Sequence, residues 1–584
     1  MSDLQERFGC ASSSTLRAVI LRRNAASEPL PLPHLFPVAR RCSPVTPRLL
    51  HRITACLPHR FDPRPDPCLE RRLPSPLQPR RRRAQRHGGR LALLAGLALA
   101  ASPVRALETV KLELPLLQTD FTVRVSELAS PQRLFTGNSD LAELDQATGG
   151  RIGRVLSQLM SAPLPLPVRN LVNNALGTPL FDQVMLLTSS LVEVQDLPPD
   201  LDGSRLAAAL DKIPTGQPIT LLTVLQALPG ETASIDLEQA LYAVQRLQRQ
   251  QRLGRQLVTQ LPAVSSDPAL AAPGPLKILS RTVSIPVRHR PDPLQLQVVS
   301  PAQGGNGRLV MISHGLWDSP ASFEGWAEAL ASRGFTVILP YHPGSDKQQQ
   351  QAMLSGKAAP PDPEELRKRP QDVSAAIDAV RDGGIPGLQG VKTERVVAIG
   401  HSWGATTVLQ LGGTRPSANA LRQRCDDLRD PDRNLSWVLQ CSFLRAADRA
   451  SLADPRVIAV AAVSPPISLV FEQGSAADMQ ARGLVVSGTN DWVVPSGPEA
   501  LDRFGSLRSA GHQVVLVQGG DHFNLRAPKE QASAPLSPLL VRWTDAAFQA
   551  GDSVRPTAGA APLIRPVGWG NAGMAMVDAT AAAP

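Results

Sequence analysis

The hydrophobic pattern of the chain changes character near residue 277. From there on, short β-branched and aliphatic runs alternate with segments whose apolar residues recur at helical spacing. This alternation predicts an α/β domain with a mostly parallel, doubly wound sheet. Runs at 279–287 and 294–299 predict a hairpin at one sheet edge. The later strands are predicted at 309–312, 336–339, 396–399, 457–463, 484–487 and 514–517.

Residues 107–265 show a different pattern, which predicts a smaller, mostly α-helical domain. Apolar residues recur at helical spacing over 204–213, 219–228 and 235–253. Asp236 is placed to cap the last of these helices. The Gln/Arg run 245–255 is interpreted as the solvated face of that helix, with an interaction surface as the alternative.

Composition marks the remaining boundaries. Residues 266–276 are rich in Pro, Ala, Ser and Gly and predict a linker to a catalytic domain at 277–548. Residues 549–584 turn to Ala, Gly and Pro, which predicts a disordered tail. The stretch 347–369, with its Gln run and paired prolines, is either a lid or a surface insertion.

Charge is distributed unevenly along the chain. The net charge is +10, but residues 1–106 carry 19 Arg and 6 acidic residues, which leaves a net charge of −3 on the remainder. The basic character therefore belongs to the leader, and we expect no nucleic-acid partner.

The end of the leader has the order of a secretory signal peptide near 80–106. An Arg cluster precedes the apolar run 91–101, and Val104-Arg105-Ala106 supplies a cleavage site. We therefore expect an exported protein, periplasmic or extracellular. The Arg- and Pro-rich residues 1–78 are either a disordered extension or lie upstream of the true start and are not translated; we favour the second.

Cysteine usage agrees with export. Four of the six cysteines lie in the leader, and Cys425 and Cys441 remain. An even pair closing a short loop in an oxidising compartment predicts a disulfide, with two unrelated buried thiols as the alternative. The spacing fits no zinc site, so we expect no metal and no cofactor.

The centre of the catalytic pattern is Gly400-His401-Ser402-Trp403-Gly404, between a predicted strand and a predicted helix. This is the nucleophile-elbow pattern in its required context. The turn is so tight that side chains two residues either side of the serine would clash, and Gly400 and Gly404 avoid this. Ser402 is therefore the predicted nucleophile.

A serine needs a base, and an acid that orients the base. His522 follows the last predicted strand, and Asp491 follows the strand before it. Asp521 is the rival acid, but it adjoins His522 in sequence and would hardly reach the far ring nitrogen. The order Ser402, Asp491, His522 is that of α/β-hydrolases.

The oxyanion of the reaction needs backbone donors. The N–H groups of Trp403, after the nucleophile, and of Leu316, in the loop after an early strand, are the expected pair. Trp317, Phe323 and Tyr341 gather near these motifs and are expected to line a substrate pocket, with core packing as the alternative.

Together these motifs resemble the platelet-activating-factor acetylhydrolase and predicted dienelactone hydrolase branch of the α/β-hydrolases. The stretches that carry the resemblance are 313–316, 341–346, 369–372, 400–404, 488–491 and 520–523. It covers roughly 277–545, and 107–265 is similar to an N-terminal domain of unknown function that precedes such hydrolases in cyanobacteria. True dienelactone hydrolases use a Cys nucleophile, whereas this chain has Ser402.

The resemblance implies hydrolysis of carboxylic esters, on lipids or short acyl chains, through an acyl-enzyme. A peptidase or amidase with the same triad is the competing enzyme, and a degenerate hydrolase serving as a binding module is the competing non-enzyme. The expected partner is a small-molecule or lipid ester, with peripheral membrane contact as a further expectation; the oligomeric state stays open.

Overall fold

The computed structural model describes residues 106–114, 119–504, 510–529 and 534–583, which belong to one compact unit. The signal peptide and the extension predicted in the leader lie outside these residues.

The N-terminal region combines helices with a small sheet. Among the described residues its four strands lie in the order β2-β1-β4-β3, and only β1 and β4 are parallel neighbours. The prediction of a mostly helical domain missed this sheet, because its strands are short and largely half-buried. The strands are β1 (Thr109–Leu114), β2 (Thr119–Arg124), β3 (Val192–Val194) and β4 (Thr232–Asp236). The helices are α1 (Pro131–Phe135), α2 (Asp140–Ala147), α3 (Arg151–Ser161), α4 (Val168–Ala175), α5 (Pro179–Leu191), α6 (Ser204–Lys212), α7 (Leu221–Ala227) and α8 (Leu237–Gln260).

Helix α8 begins where the sequence predicts, because the Asp236 side chain accepts from the Gln239 N–H at 3.0 Å. Only one face of its Gln/Arg run is solvated, however. Gln248 and Arg252 are exposed, whereas Arg246, Gln250 and Gln251 are buried, and their side chains donate to backbone carbonyls of the catalytic region. The interpretation as a solvated face therefore holds for part of the run, and its buried face is an interface within the chain.

The predicted linker carries the short helix α9 (Pro268–Ala271), whose first turn is capped by Asp267. After it, the predicted edge hairpin forms from β5 (Ile278–Ile285) and β6 (Leu294–Pro301). The described residues complete a nine-stranded sheet in the order β13-β12-β11-β10-β9-β7-β8-β6-β5. Its further strands are β7 (Arg308–Ser313), β8 (Thr336–Pro340), β9 (Lys392–His401), β10 (Val457–Val463), β11 (Arg482–Gly488), β12 (Gln513–Val517) and β13 (Met576–Asp578).

The sheet is parallel from β8 through β12 and antiparallel at its ends. Hydrophobic side chains from both of its faces pack under helices in two large clusters. Each predicted strand from 309 to 517 falls within an observed one, because buried parallel strands are continuous β-branched runs. The helices are α10 (Glu324–Ala331), α11 (Lys347–Leu354), α12 (Glu365–Arg381), α13 (Trp403–Leu411), α14 (Asn419–Arg424), α15 (Trp437–Ser442), α16 (Asp502–Phe504) and α17 (Ser537–Gln549).

The segment after residue 548 is folded, which corrects the prediction of a disordered tail. Strand β13 pairs with β12 and so extends the sheet by one strand. Trp569, Met576 and Val577 are completely buried. A few large apolar side chains anchor this Ala- and Gly-rich segment, and average composition does not reveal them.

Cys425 and Cys441 are joined by a disulfide, as predicted. It closes the loop between α14 and α15. No helix of the described residues combines the length and the apolar character that a bilayer crossing requires.

Candidate active site

Ser402 lies at the turn between β9 and α13, in a conformation that side chains rarely adopt. Its φ is 54° and its ψ −124°, so the residue is strained. A Cβ on Gly400 would lie 2.1 Å from the Gly404 carbonyl oxygen, and a Cβ on Gly404 would lie 1.9 Å from that of Ser313. Both glycines are therefore required by the close approach of the backbone, as the sequence pattern predicts.

The structure brings Ser402, His522 and Asp491 together. His522 Nε2 lies 3.0 Å from Ser402 Oγ, and His522 Nδ1 lies 3.0 Å from Asp491 Oδ2. The other carboxylate oxygen of Asp491 accepts from the N–H groups of Val493 and Val494, at 3.0 and 2.8 Å. These bonds hold the buried carboxylate in the orientation that an Nδ1-protonated imidazole needs.

The rival acid Asp521 and two further histidines are engaged elsewhere. Asp521 accepts from the N–H groups of Phe523 and Asn524, both at 2.7 Å, so it shapes the turn that carries His522. His512 accepts from the Gly483 N–H, and His289 contacts Asp372 at 2.7 Å.

His401, which precedes Ser402 in the elbow, hydrogen-bonds the backbone of the base His522. Its Nε2 lies 2.9 Å from the His522 carbonyl oxygen, to which it donates, and the two ring centroids are 4.9 Å apart. Burial and the neighbouring His522 keep the pKa of His401 well below its usual range. A neutral His401 fixes the backbone of the base without adding a positive charge to the site.

The expected oxyanion donors belong to two segments that meet at Ser402: Trp403 follows it in the chain, and Leu316 follows Gly315 in the loop after β7. The loop after β7 approaches so closely that a Cβ on Gly315 would lie 3.1 Å from the Ser402 Cβ. In the described part of the chain, no protein group accepts from the N–H of Leu316 or of Trp403. Their lack of a protein acceptor is compatible with the predicted role in an oxyanion hole.

A buried polar network lies beneath this loop. Ser313 Oγ is 2.9 Å from His342 Nε2, and His342 Nδ1 is 2.8 Å from Asp372 Oδ2. All three side chains are fully buried, and Arg290 binds both oxygens of Asp372. Burial alone would raise the pKa of Asp372. Hydrogen bonds from His289, His342 and Arg290 outweigh burial and lower this pKa below its usual range.

Arg369 contacts the oxyanion loop and the residue after the nucleophile. Its guanidinium donates to the His314 carbonyl and stacks 4.8 Å above the Trp403 ring. Burial, together with Arg369, lowers the pKa of His314 to about 4. Nδ1 of His314 lies 2.8 Å from the Gly315 carbonyl oxygen and Nε2 lies 2.7 Å from that of Tyr341, and a neutral ring donates to one of the two.

The predicted pocket aromatics separate into two groups. Phe323 is fully buried and packs on Trp326 and His401, so for this residue the core-packing alternative applies and not the predicted pocket lining. Its position next to a loop motif does not distinguish a core from a pocket residue. Trp317 and Tyr341 are half-buried, and Trp317 Nε1 donates to Gln349 of α11 at 2.8 Å.

Two other aromatics stand at the site, and the sequence reasoning assigned them no role. Trp492 and Phe523 are each 48% exposed, and their ring centroids are 6.2 Å apart. The Phe523 ring stands edge-on to His522 at 5.4 Å. Their sequence positions could have indicated a place at the site, because Trp492 directly follows Asp491 and Phe523 directly follows His522.

Helix α8 reaches the loop that carries the acid. Gln251 Nε2 donates to the Asp491 carbonyl at 2.9 Å, and Arg255 Nε donates to the Thr489 carbonyl at 3.3 Å. The helix comes this close because residue 254 is glycine: a Cβ there would lie 2.3 Å from Ser496 Oγ. The N-terminal region therefore helps to position Asp491.

Residues 309–534 match the model of the alpha/beta hydrolase family. With the mostly parallel sheet, this match assigns the α/β-hydrolase fold to the catalytic region and supports a hydrolase. No curated protein matches the chain. The match is to the family as a whole, so the platelet-activating-factor acetylhydrolase branch and the N-terminal resemblance stay predictions.

Proposed function

We propose that this protein is a serine hydrolase of carboxylic esters, acting through an acyl-enzyme on lipid or short-acyl esters. The observation that carries the proposal is the hydrogen-bonded chain from Ser402 through His522 to Asp491, with the serine strained at the head of α13. A small-molecule ester is the substrate class that this arrangement and the family match favour.

The mechanism follows from the geometry. His522 Nε2 takes the proton of Ser402 as Oγ attacks the ester carbonyl, and Asp491 stabilises the imidazolium that forms. The N–H groups of Leu316 and Trp403 bind the oxyanion. Collapse releases the alcohol, which takes its proton from His522. His522 then activates a water molecule, which attacks the acyl-enzyme. The carboxylic acid product departs, and Ser402 is free again.

Export to an oxidising compartment is part of the proposal. The disulfide between Cys425 and Cys441 supports it, since such bonds persist in secreted and periplasmic proteins. The half-exposed rings of Trp492 and Phe523 beside the triad favour an ester with an apolar portion and are compatible with peripheral contact with a lipid surface.

The test is covalent labelling of the full chain with a fluorophosphonate, which reacts with activated serines, followed by mapping of the labelled peptide. We expect labelling at Ser402 and hydrolysis of p-nitrophenyl acetate. Both are lost in Ser402→Ala, because no other described serine contacts His522.

A matched control is Ser157→Ala, which removes a serine of α3 remote from the triad and retains labelling and turnover. Folding of each variant is checked by circular dichroism. Wild-type protein that folds but neither labels nor hydrolyses esters would overturn the proposal. Cleavage of matched anilides faster than of esters would instead indicate an amidase.

A further inference from the structure

An apolar cavity of about 310 Å³ lies between the N-terminal region and the catalytic region, outside the triad itself. Helices α5 and α8 form one side, and the loop closed by the Cys425–Cys441 disulfide forms the other. The apolar lining residues are Leu187, Leu191, Ala243, Val244, Leu247, Leu428, Leu435 and Trp492. At its mouth, Val244 and Leu435 remain 53% and 43% exposed, so an apolar ligand would cover hydrophobic surface that now faces water.

Three polar side chains of the cavity wall, those of Tyr242, Arg246 and Gln250, donate to backbone carbonyls of the protein. Arg246 donates to the Leu428 carbonyl at 2.9 Å, and Gln250 donates to the carbonyls of Pro431 and Arg433 at 2.9 and 3.0 Å. The Tyr242 hydroxyl donates to the Arg429 carbonyl at 3.3 Å. With these donors engaged and most of the lining apolar, a ligand is recognised here mainly through its hydrocarbon surface.

Trp492 connects the cavity to the triad. It is a wall residue of the cavity, it directly follows Asp491, and its ring faces Phe523, which stands against His522. The rings of Trp492 and Phe523 make an apolar track from the cavity to the base. A chain attached to an ester carbonyl at Ser402 would have a continuous hydrophobic surface to follow.

The cavity wall is held in place without a ligand. The disulfide closes the loop that carries Leu428 and Leu435, and the Ser436 N–H donates to the Val493 carbonyl at 3.0 Å, which ties this loop to the acid loop. A wall fixed in advance lowers the ordering cost of binding.

We propose that this cavity binds the hydrocarbon chain of the ester substrate, so that the N-terminal region sets chain-length preference. The inference rests on the proposed ester hydrolysis and adds the substrate class: esters with a medium or long unbranched chain. The chain belongs to either the acyl or the alcohol portion, which share this chemistry.

The test compares kcat/KM over two ester series. The acyl series is p-nitrophenyl esters from acetate to decanoate, and the alcohol series is acetates of alcohols from ethanol to decanol, each below its aggregation limit. In one series we expect kcat/KM to rise about fourfold per added CH₂ until the cavity is full, which is the gain from burying one methylene. The series that shows the rise identifies the chain.

The diagnostic variant is Ala243→Trp, which fills the cavity from an exposed position on α8; Gln248→Trp adds the same ring to an exposed position of α8 outside the cavity. The measured quantity is the kcat/KM of the longest ester divided by that of the shortest, in the series that shows the rise. We expect this ratio to fall toward one in Ala243→Trp and to keep its wild-type value in Gln248→Trp. A flat wild-type series, or a chain-length ratio that survives Ala243→Trp, would overturn the inference.

Binding of octyl glucoside below its micelle concentration, measured by calorimetry, separates this inference from the proposed function. If no ester is hydrolysed but binding is present in the wild type and lost in Ala243→Trp, the esterase proposal fails and the hydrocarbon site stands. If esters are hydrolysed but Ala243→Trp and Gln248→Trp bind octyl glucoside equally well, the hydrocarbon site is contradicted and the esterase proposal stands.

Discussion

At the scale of single residues, the two carboxylate oxygens of Asp491 have different partners. One carboxylate oxygen faces His522, and the other is held by two backbone N–H groups. Replacing the charge by an amide keeps the size but favours the wrong imidazole tautomer, because the amide nitrogen would donate toward Nδ1.

We therefore expect Asp491→Asn to lower kcat for p-nitrophenyl acetate by about 10⁴-fold with the fold retained, as measured by steady-state kinetics and circular dichroism. Asp521→Asn is the comparison, and we expect a far smaller loss because Asp521 shapes only the turn. A larger loss in Asp521→Asn than in Asp491→Asn would reverse the two assignments.

His512 makes a second prediction at this scale, for stability. Burial, helped by Arg482, lowers its pKa to about 4, against about 6.5 in an unfolded chain. Between these values the unfolded state binds more protons, so this stabilisation is complete above pH 6.5 and is lost as the pH falls toward 4.

From pH 7 to pH 5, we expect His512 to account for a loss of about 2 kcal/mol in the free energy of unfolding, measured by urea denaturation. His512→Asn keeps an acceptor for the Gly483 N–H but does not titrate. Between pH 7 and pH 5 its free energy of unfolding should therefore fall by about 2 kcal/mol less than that of the wild type. Equal pH dependence in the two proteins would contradict this account.

The triad positions could be predicted from the sequence because chain order and strand ends fix them locally: each residue lies within five residues of the end of a predicted strand. The surroundings of the triad could not be predicted from the sequence. Whether Phe323 lies in a core or a pocket depends on how Trp326 and His401 pack around it, which no local pattern encodes.

At the scale of elements, α8 contributes to the site without supplying a reacting group. Gln251 holds the Asp491 carbonyl, so its loss would leave a buried acceptor unpaired and free the acid loop to move. We expect Gln251→Ala to lower kcat about tenfold, equivalent to about 1.4 kcal/mol, with KM for a short ester little changed.

The control on the same helix is Gln248→Ala, which changes an exposed residue and should keep wild-type kinetics. A purely structural role for Gln251 would instead lower the melting temperature with kcat per folded molecule unchanged. That result would remove α8 from the positioning of the acid.

The sequence could not reveal this interface, because polar residues on a helix give the same pattern whether water or backbone carbonyls satisfy them. Hydrophobic periodicity predicts only apolar contacts. The strands of the catalytic region were predictable for the opposite reason: burial on both faces makes them uniformly apolar. Strands β1 to β4, half-exposed and short, give neither signal.

At the scale of the whole molecule, the C-terminal segment completes the catalytic region. Trp569 is fully buried, whereas Val567 two residues earlier is 56% exposed. We expect Trp569→Ala to lower the free energy of unfolding by about 3–5 kcal/mol, in urea denaturation, because it leaves a large cavity.

Val567→Ala is the matched comparison, and its effect should stay within about 0.5 kcal/mol. Similar, small effects of both substitutions would mean that the segment is only loosely attached and that its earlier interpretation as a tail was the better one.

The pairing of distant segments also bears on how the chain is made. The Val264 N–H donates to the Met576 carbonyl at 2.8 Å, and β13 is the last strand to join the sheet beside β12. Contacts over such separations form late, since loop closure is costly. A ribosome that has translated residues 402 and 522 therefore carries a nascent chain without a complete sheet, and we expect turnover to begin only after residue 576 has emerged.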